Sequence, residues 1–268
     1  MRWDPLKFFA FDWDDNLMKL PTKIKLEKEW KIVEKSTEEF AKIREEIKSW
    51  IYNILPNEES FSWFREVWDE DFMKDVINIK QEDLCLSWPK YVESINEARL
   101  LAIITARWHS VKTFKKIIRF MINNWFYGIN KDKFLKNMSE FIKLAYEKWT
   151  IDSLDISDTE MLDNYLELIQ IYPVSNKKEM SKIWIDSSMV SPEKAKTHAW
   201  AHFAWIIMNS VNQIYHPFEI PLLKYWFSDD DPKNIEIMEN FIKEWWIWNI
   251  FLPYIYDTSN WKIKKIKL

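Results

Sequence analysis

Apolar and polar positions separate sharply at the start of the chain. Residues 6 to 12, LKFFAFD, read as a short buried strand that ends on Asp12, and Asp14 and Asp15 follow at once. The same design recurs. "RLLAIITAR" predicts a second buried strand over 100–105. "YLELIQIYPVS" predicts a third that ends at Pro173. "LLKYWFS" predicts a fourth that ends on Asp229, Asp230 and Asp231, and "NIFLPYIYDT" a last one. Between them the apolar period lengthens to that of helices. Val111, Phe114, Ile118 and Ile122 share one side of a predicted helix. Pro89 opens a helix over 89–98, with its start at Ser87. "SPEKAKTHAWAHFAWIIMNSVN" opens with Ser191 as cap, Pro192 at the first position and Glu193 in the first turn, and "PKNIEIMENFIKE" follows the fourth strand. Residues 22–86 are charged and largely helical in pattern, with Thr37 as a cap and Phe40, Ile43 and Ile47 at helical spacing. Strand and helix alternate, which predicts an α/β fold: a mostly parallel, Rossmann-like sheet covered on both faces.

The bulk numbers narrow the partners. The chain of 268 residues is long enough for one such core with an insertion, and its net charge of −4 carries no basic footprint for nucleic acid. A lone cysteine, Cys85, excludes an intramolecular disulfide and suits a reducing compartment. No apolar run approaches the roughly 20 residues of a membrane span. The first strand follows Met1 too closely for a signal peptide, and acids follow the strand. A cytoplasmic protein without membrane contact is expected. Oligomeric state is not legible.

Two counts are abnormal: one glycine, Gly128, and 18 tryptophans. Average glycine usage is about 7%, and a fold with many turns needs residues that tolerate positive φ. Tryptophan stands instead in polar loops and at strand-to-helix turns: "EKEWK", "LSWPK", "ARWHS", "KYWFS", "SNWKI". A few bacterial lineages read UGA as glycine. The expectation is that many of these tryptophans are such codons translated by another genetic code. The ratio of 32 Lys to 6 Arg fits the AT-rich genome this implies. Trp108 and Trp226, placed where turns beside the acids are expected, are the first candidates for strained backbone.

Candidate chemistry lies at strand ends, because parallel sheets bind ligands beyond the carboxyl ends of their strands. One strand ends in Asp12-Trp13-Asp14, one in Thr105, one in Asp229-Asp230, and a lysine pair, Lys194 and Lys196, opens a helix between the last two. Clustered carboxylates repel, and a hard cation such as Mg²⁺ relieves them. The segments "FFAFDWDDNL", "LLAIITAR", "SPEKAK" and "YWFSDDDPKN" resemble, in order, the four motifs of the haloacid dehalogenase (HAD) superfamily, mainly Mg²⁺-dependent phosphatases. "TEEFAKIRE" and "IITARWHS" resemble a bacterial branch of it.

The resemblance implies roles. Asp12 would be the nucleophile that takes up the phosphoryl group, and Asp14 the acid that protonates the leaving group and then activates water. Thr105 would bind a phosphoryl oxygen and Lys194 would neutralise charge, with Lys196 and Lys182 as competitors. Asp12, Asp14 through its backbone carbonyl, Asp230 and the adjacent Asp229 would hold Mg²⁺. An acid at position 14 favours phosphoryl transfer over dehalogenation. A phosphomonoesterase acting on a small phosphorylated substrate is expected; the alternatives are a phosphomutase on the same scaffold and a non-catalytic binding module. The core would comprise residues 1–17 and 87–268, decorated by helices over about 126–165. A helical cap-like insertion would occupy residues 18–86. Each bland alternative also exists: Asp14, Asp15 and Asn16 suit an ordinary turn, Asp229 to Asp231 a helix cap, Thr105 a cap. Asp15 reads as a turn residue or a gate. His198 and His202 have metal-ligand spacing but no acidic partner, which favours packing or surface roles.

Overall fold

In the computed structural model, residues 6–149, 156–184, 190–215, 220–244, 251–259 and 262–268 are described. Each apolar run becomes a strand. β1 (Leu6–Phe11) is followed by β2 (Ile24–Lys28), β3 (Lys31–Lys35) and the short β4 (Asn53–Ile54). Then come β5 (Leu101–Thr105), β6 (Gln170–Pro173), β7 (Leu223–Asp229), β8 (Phe251–Asp257) and β9 (Lys264–Lys267). The main sheet runs β6-β5-β1-β7-β8-β9, parallel except at β9. A strand buried on both faces must be apolar at successive positions, which is why these runs do not alternate. Phe9, Phe11, Leu101 and Ile103 face the helices Trp88–Asn96, Val111–Asn123 and Asp158–Leu168. Phe8, Ala10, Ala102, Ile104, Tyr225 and Phe227 face the helices Pro192–Ile214 and Pro232–Glu244. The chain is therefore α/β with a mostly parallel six-stranded sheet, compatible with a Rossmann-like fold. Among the described residues no helix is long and apolar enough to cross a membrane.

Several boundaries differ from expectation. Tyr165 to Leu168 end the helix Asp158–Leu168 and do not open β6. The helix Thr37–Lys42 is capped by Ser36, whose hydroxyl accepts from the Glu39 amide. Ser87 starts its helix without capping it; the hydroxyl turns inward to Asn16 instead.

The largest correction concerns residues 18–86, which are not a purely helical insertion. They hold an antiparallel sheet, β3-β2-β4, with the short helices Thr37–Lys42, Arg44–Lys48 and Asp69–Ile77. Ile24, Leu26, Tyr52 and Phe64 form its own small core. The hairpin escapes a sequence reading because its turn is disguised. Lys28 pairs with Lys31, so Glu29 and Trp30 make a two-residue connection, with φ of 50° and 63°. Such turns need positive φ at both central residues and usually announce themselves by glycine.

Among the described residues, Trp30 is one of four tryptophans in the left-handed region; the others are Trp50, Trp125 and Trp184. Trp50 stands where helix Arg44–Lys48 ends. Its amide donates to the Ile47 carbonyl and the Ile51 amide to the Glu46 carbonyl. That paired pattern is the one glycine usually closes. Trp30, Trp50 and Trp184 are 94%, 82% and 96% exposed, so no packing repays the strain.

Trp108 and Trp226 do not fit the expectation of strained turns: neither has positive φ. β7 runs on to Asp229, so Trp226 lies inside the ladder rather than at its end. Its indole is buried and stacks on Phe9, Tyr254 and Tyr256. The Trp108 amide donates to the Phe64 carbonyl of the insertion.

Candidate functional site

β1 lies between β5 and β7, and the chain's crossovers leave to one side of it before returning on the other. Such a reversal opens a crevice at the carboxyl ends. The parallel register pairs Phe11 with Ser228, and the Asp12 amide donates to the Ser228 carbonyl at 2.9 Å. The next residues on both strands are therefore neighbours. Asp12, Asp229 and Asp230 each offer a carboxylate oxygen, and these lie within 4.8 Å of one another.

Lys196 is the counter-charge. It is buried on the helix Pro192–Ile214, and its Nζ is 3.1 Å from Asp12 and 2.8 Å from Asp229. Burial opposes its charge, yet the Asp12 and Asp229 carboxylates outweigh that and raise its pKa above the ordinary value. Lys194, the lysine expected here, is exposed; its amide closes the helix cap on Ser191. Lys182 pairs with Glu179 at the surface. Position 194 thus gives way to position 196.

Three carboxylates facing one ammonium leave negative charge uncompensated. Burial pushes Asp12 well above its usual range; Lys196 pulls it back, and Asp229 and Asp14 push it further up. Burial, Asp229 and Asp12 do the same to Asp230. An all-oxygen set with this repulsion suits a hard divalent cation.

The remaining predicted residues divide. Thr105 is fully buried at the end of β5, and its hydroxyl accepts from the Arg107 amide at 3.2 Å. It caps no helix; Ser110 does that for Val111–Asn123. Asp14 is half-buried, and its carboxylate is absent from the cation group. It is instead bound to the Arg107 guanidinium by three hydrogen bonds of 2.6 to 3.0 Å. Asp231 is the cap of helix Pro232–Glu244, accepting from the Lys233 amide, and it pairs side by side with Arg44 of the insertion at 2.8 and 2.5 Å. His198 is exposed and His202 meets the Tyr172 hydroxyl at 2.9 Å, so neither belongs to the site.

Three supporting residues are not placed in the site by the sequence, where Asn16 is named only as part of an ordinary turn. Asn16 is buried, donates to the carbonyls of Asp12 and Ser228, and accepts from the hydroxyls of Ser87, Ser228 and Thr258. Asn234 donates to both oxygens of Asp229 at 3.0 and 3.1 Å. Arg107 holds Asp14. "DDDPKN" and "TAR" carry the last two, but a surface asparagine or arginine would look the same in sequence.

No family model matches the chain, and neither a curated protein nor a solved structure matches it.

Asp15, beside the cluster, adopts φ of 56°. Burial raises its pKa to about 6; a Thr37 hydrogen bond opposes this, and Asp14 and Glu38 add to the rise. A carboxyl whose folded pKa exceeds its unfolded value stabilises the fold while protonated. That contribution is full below pH 3.8 and lost as pH rises through about 6. Asp15→Asn, which keeps the shape and tolerates this φ, is therefore expected to stabilise the protein at pH 7.5. The gain is about 1–2 kcal/mol after allowing for partial solvent screening. Thermal melts in EDTA check it: equal midpoint shifts at pH 4 and pH 7.5 would refute the assignment.

Proposed function

We propose that the protein is a Mg²⁺-dependent phosphomonoesterase built on a HAD-like core. The observation that carries this reading is a buried nucleophile candidate, Asp12, held by Lys196 in a three-carboxylate group at the carboxyl ends of β1 and β7. Asp12, Asp229 and Asp230 would hold the magnesium, which when bound supplies charge neutralisation for a phosphoryl group.

The Asp12 carboxylate attacks phosphorus, and the bond from phosphorus to the ester oxygen breaks. Asp14 gives that oxygen a proton, the alcohol departs, and Asp14 remains as the carboxylate. Water then loses a proton to Asp14 and attacks the aspartyl-phosphate, which releases inorganic phosphate and restores Asp12. Lys196 fixes the Asp12 carboxylate and offsets its charge. Asn234 holds Asp229 in line, and Asn16 ties the loop after β1 to β7. Such a site works by position and charge rather than by difficult covalent chemistry. The insertion, docked by Arg44 on Asp231, covers the acidic end and favours a small phosphorylated substrate.

The test is phosphate release from a panel of phosphomonoesters. Turnover is expected with Mg²⁺, none in excess EDTA, and recovery on adding Mg²⁺ back. Full activity in EDTA removes the metal from the reading. Transfer to a sugar phosphate, with no free phosphate, replaces hydrolysis by mutase chemistry. No turnover of any ester ends the phosphatase reading.

A further inference from the structure

Arg107 is the most unusual side chain near the site. It is a fully buried arginine, two residues beyond the end of β5. Buried charges persist only when paired and hydrogen-bonded, and this one is held through Nε and Nη2, while Nη1 has no hydrogen-bond partner among the described residues. Nε donates to both oxygens of Asp14 at 3.0 and 2.9 Å, and Nη2 to Asp14 at 2.6 Å. Nη2 also donates to the Thr22 hydroxyl at 3.0 Å. The guanidinium carbon stands 4.7 Å from the Phe64 ring and 4.5 Å from the Phe72 ring. Its amide is pinned to Thr105. Thr22, Phe64 and Phe72 all belong to the insertion, whereas Asp14 and Thr105 belong to the core edge.

We propose that Arg107 is the positioning residue for Asp14, and that the insertion acts on the reaction through it. This rests on the phosphatase reading above. Asp14 follows a strand end, and its backbone alone does not fix where the carboxylate points. The planar guanidinium does, because two nitrogens grip the carboxylate in one plane. The rings of Phe64 and Phe72 and the Thr22 hydroxyl in turn hold the guanidinium. With the insertion in place, Asp14 keeps one orientation toward the departing ester oxygen. If the insertion shifts, the grip loosens, while the nucleophile Asp12 stays with Lys196. Arg107 is thus expected to affect proton delivery rather than attack.

That separation gives a readout a merely structural residue would not move. kcat/KM reports the steps through departure of the leaving group, so two esters are compared: 4-nitrophenyl phosphate, whose leaving group needs no proton, and glycerol 2-phosphate, whose alkoxide does. Arg107→Lys keeps the charge but loses the fork. It is expected to lower kcat/KM for glycerol 2-phosphate by about 10- to 100-fold, part of the usual general-acid contribution. The rate with 4-nitrophenyl phosphate should change little. Thr22→Val, milder and isosteric, is expected to shift the ratio of the two rates in the same direction without lowering the melting temperature appreciably. Equal losses on both esters in both variants, or no change in the ratio, would overturn the assignment while leaving the phosphatase reading intact. A wild-type protein that hydrolyses neither ester overturns both.

Discussion

Asp12→Asn is expected to be folded and inactive. The amide oxygen is a poor nucleophile, and no other described carboxylate stands in its place beside Lys196 at the end of β1. A loss of about 10⁴-fold or more in kcat is the scale for removal of a covalent nucleophile. Acid-quenched protein should carry an aspartyl-phosphate in the wild type and none in the variant. The fold should survive, because Asp12 is destabilised as a buried anion and an amide keeps its shape. Asp14→Asn is the contrast. It should retain phosphoryl transfer from good leaving groups and lose about 10²- to 10⁴-fold with poor ones. Lys196→Met should be inactive and unstable, since it leaves carboxylates buried without a partner. Lys194→Met should change neither activity nor stability. Equal, mild losses at positions 12 and 14 would contradict the roles, and activity in Lys196→Met with loss in Lys194→Met would return the site to the exposed lysine.

The second large effect is a gain. Replacing Trp30, Trp50, Trp125 and Trp184 by glycine together is expected to raise stability by about 4 kcal/mol, at about 1 kcal/mol for each side chain released from the left-handed region. Truncating a tryptophan normally destabilises, and Trp226 supplies the control. Its indole fills the space between Phe9, Tyr254 and Tyr256, so Trp226→Gly should cost about 3–5 kcal/mol. Denaturant melts of the two variants decide: a fourfold variant less stable than the starting chain removes the strain argument. The gain bears on the genetic code. We propose that glycine is the natural residue at these four positions, read from UGA; UGG codons there would end that proposal. At Trp108 and Trp226 the sharp turns expected beside the strand ends give way to a bridge to the insertion and to the interior of a strand.

The order of the fold was legible because it is written locally. An apolar run too short for a helix can be buried only as a strand, and acids at its end must lie at the sheet's edge. From this the sequence alone determined the parallel core, the edge where chemistry gathers, and Asp12, Asp229 and Asp230 as neighbours. β9 escaped because an edge strand with one face in water can be written KKIK, which reads as a polar tail. The hairpin of β2 and β3 escaped because its turn carries tryptophan where glycine would have marked it. Tertiary structure alone chose the lysine. Lys194 and Lys196 are two residues apart on a helix and so point about 200° apart; either can face the sheet until packing fixes the helix's rotation. The same holds for Arg107, Asn16 and Asn234. Nothing near Arg107 or Asn16 in sequence distinguishes a buried, hydrogen-bonded polar group from a solvated one, because partners such as Asp14, Ser87 and Thr258 lie far away along the chain; Asn234 has its partner Asp229 nearby, but only the fold turns the two together.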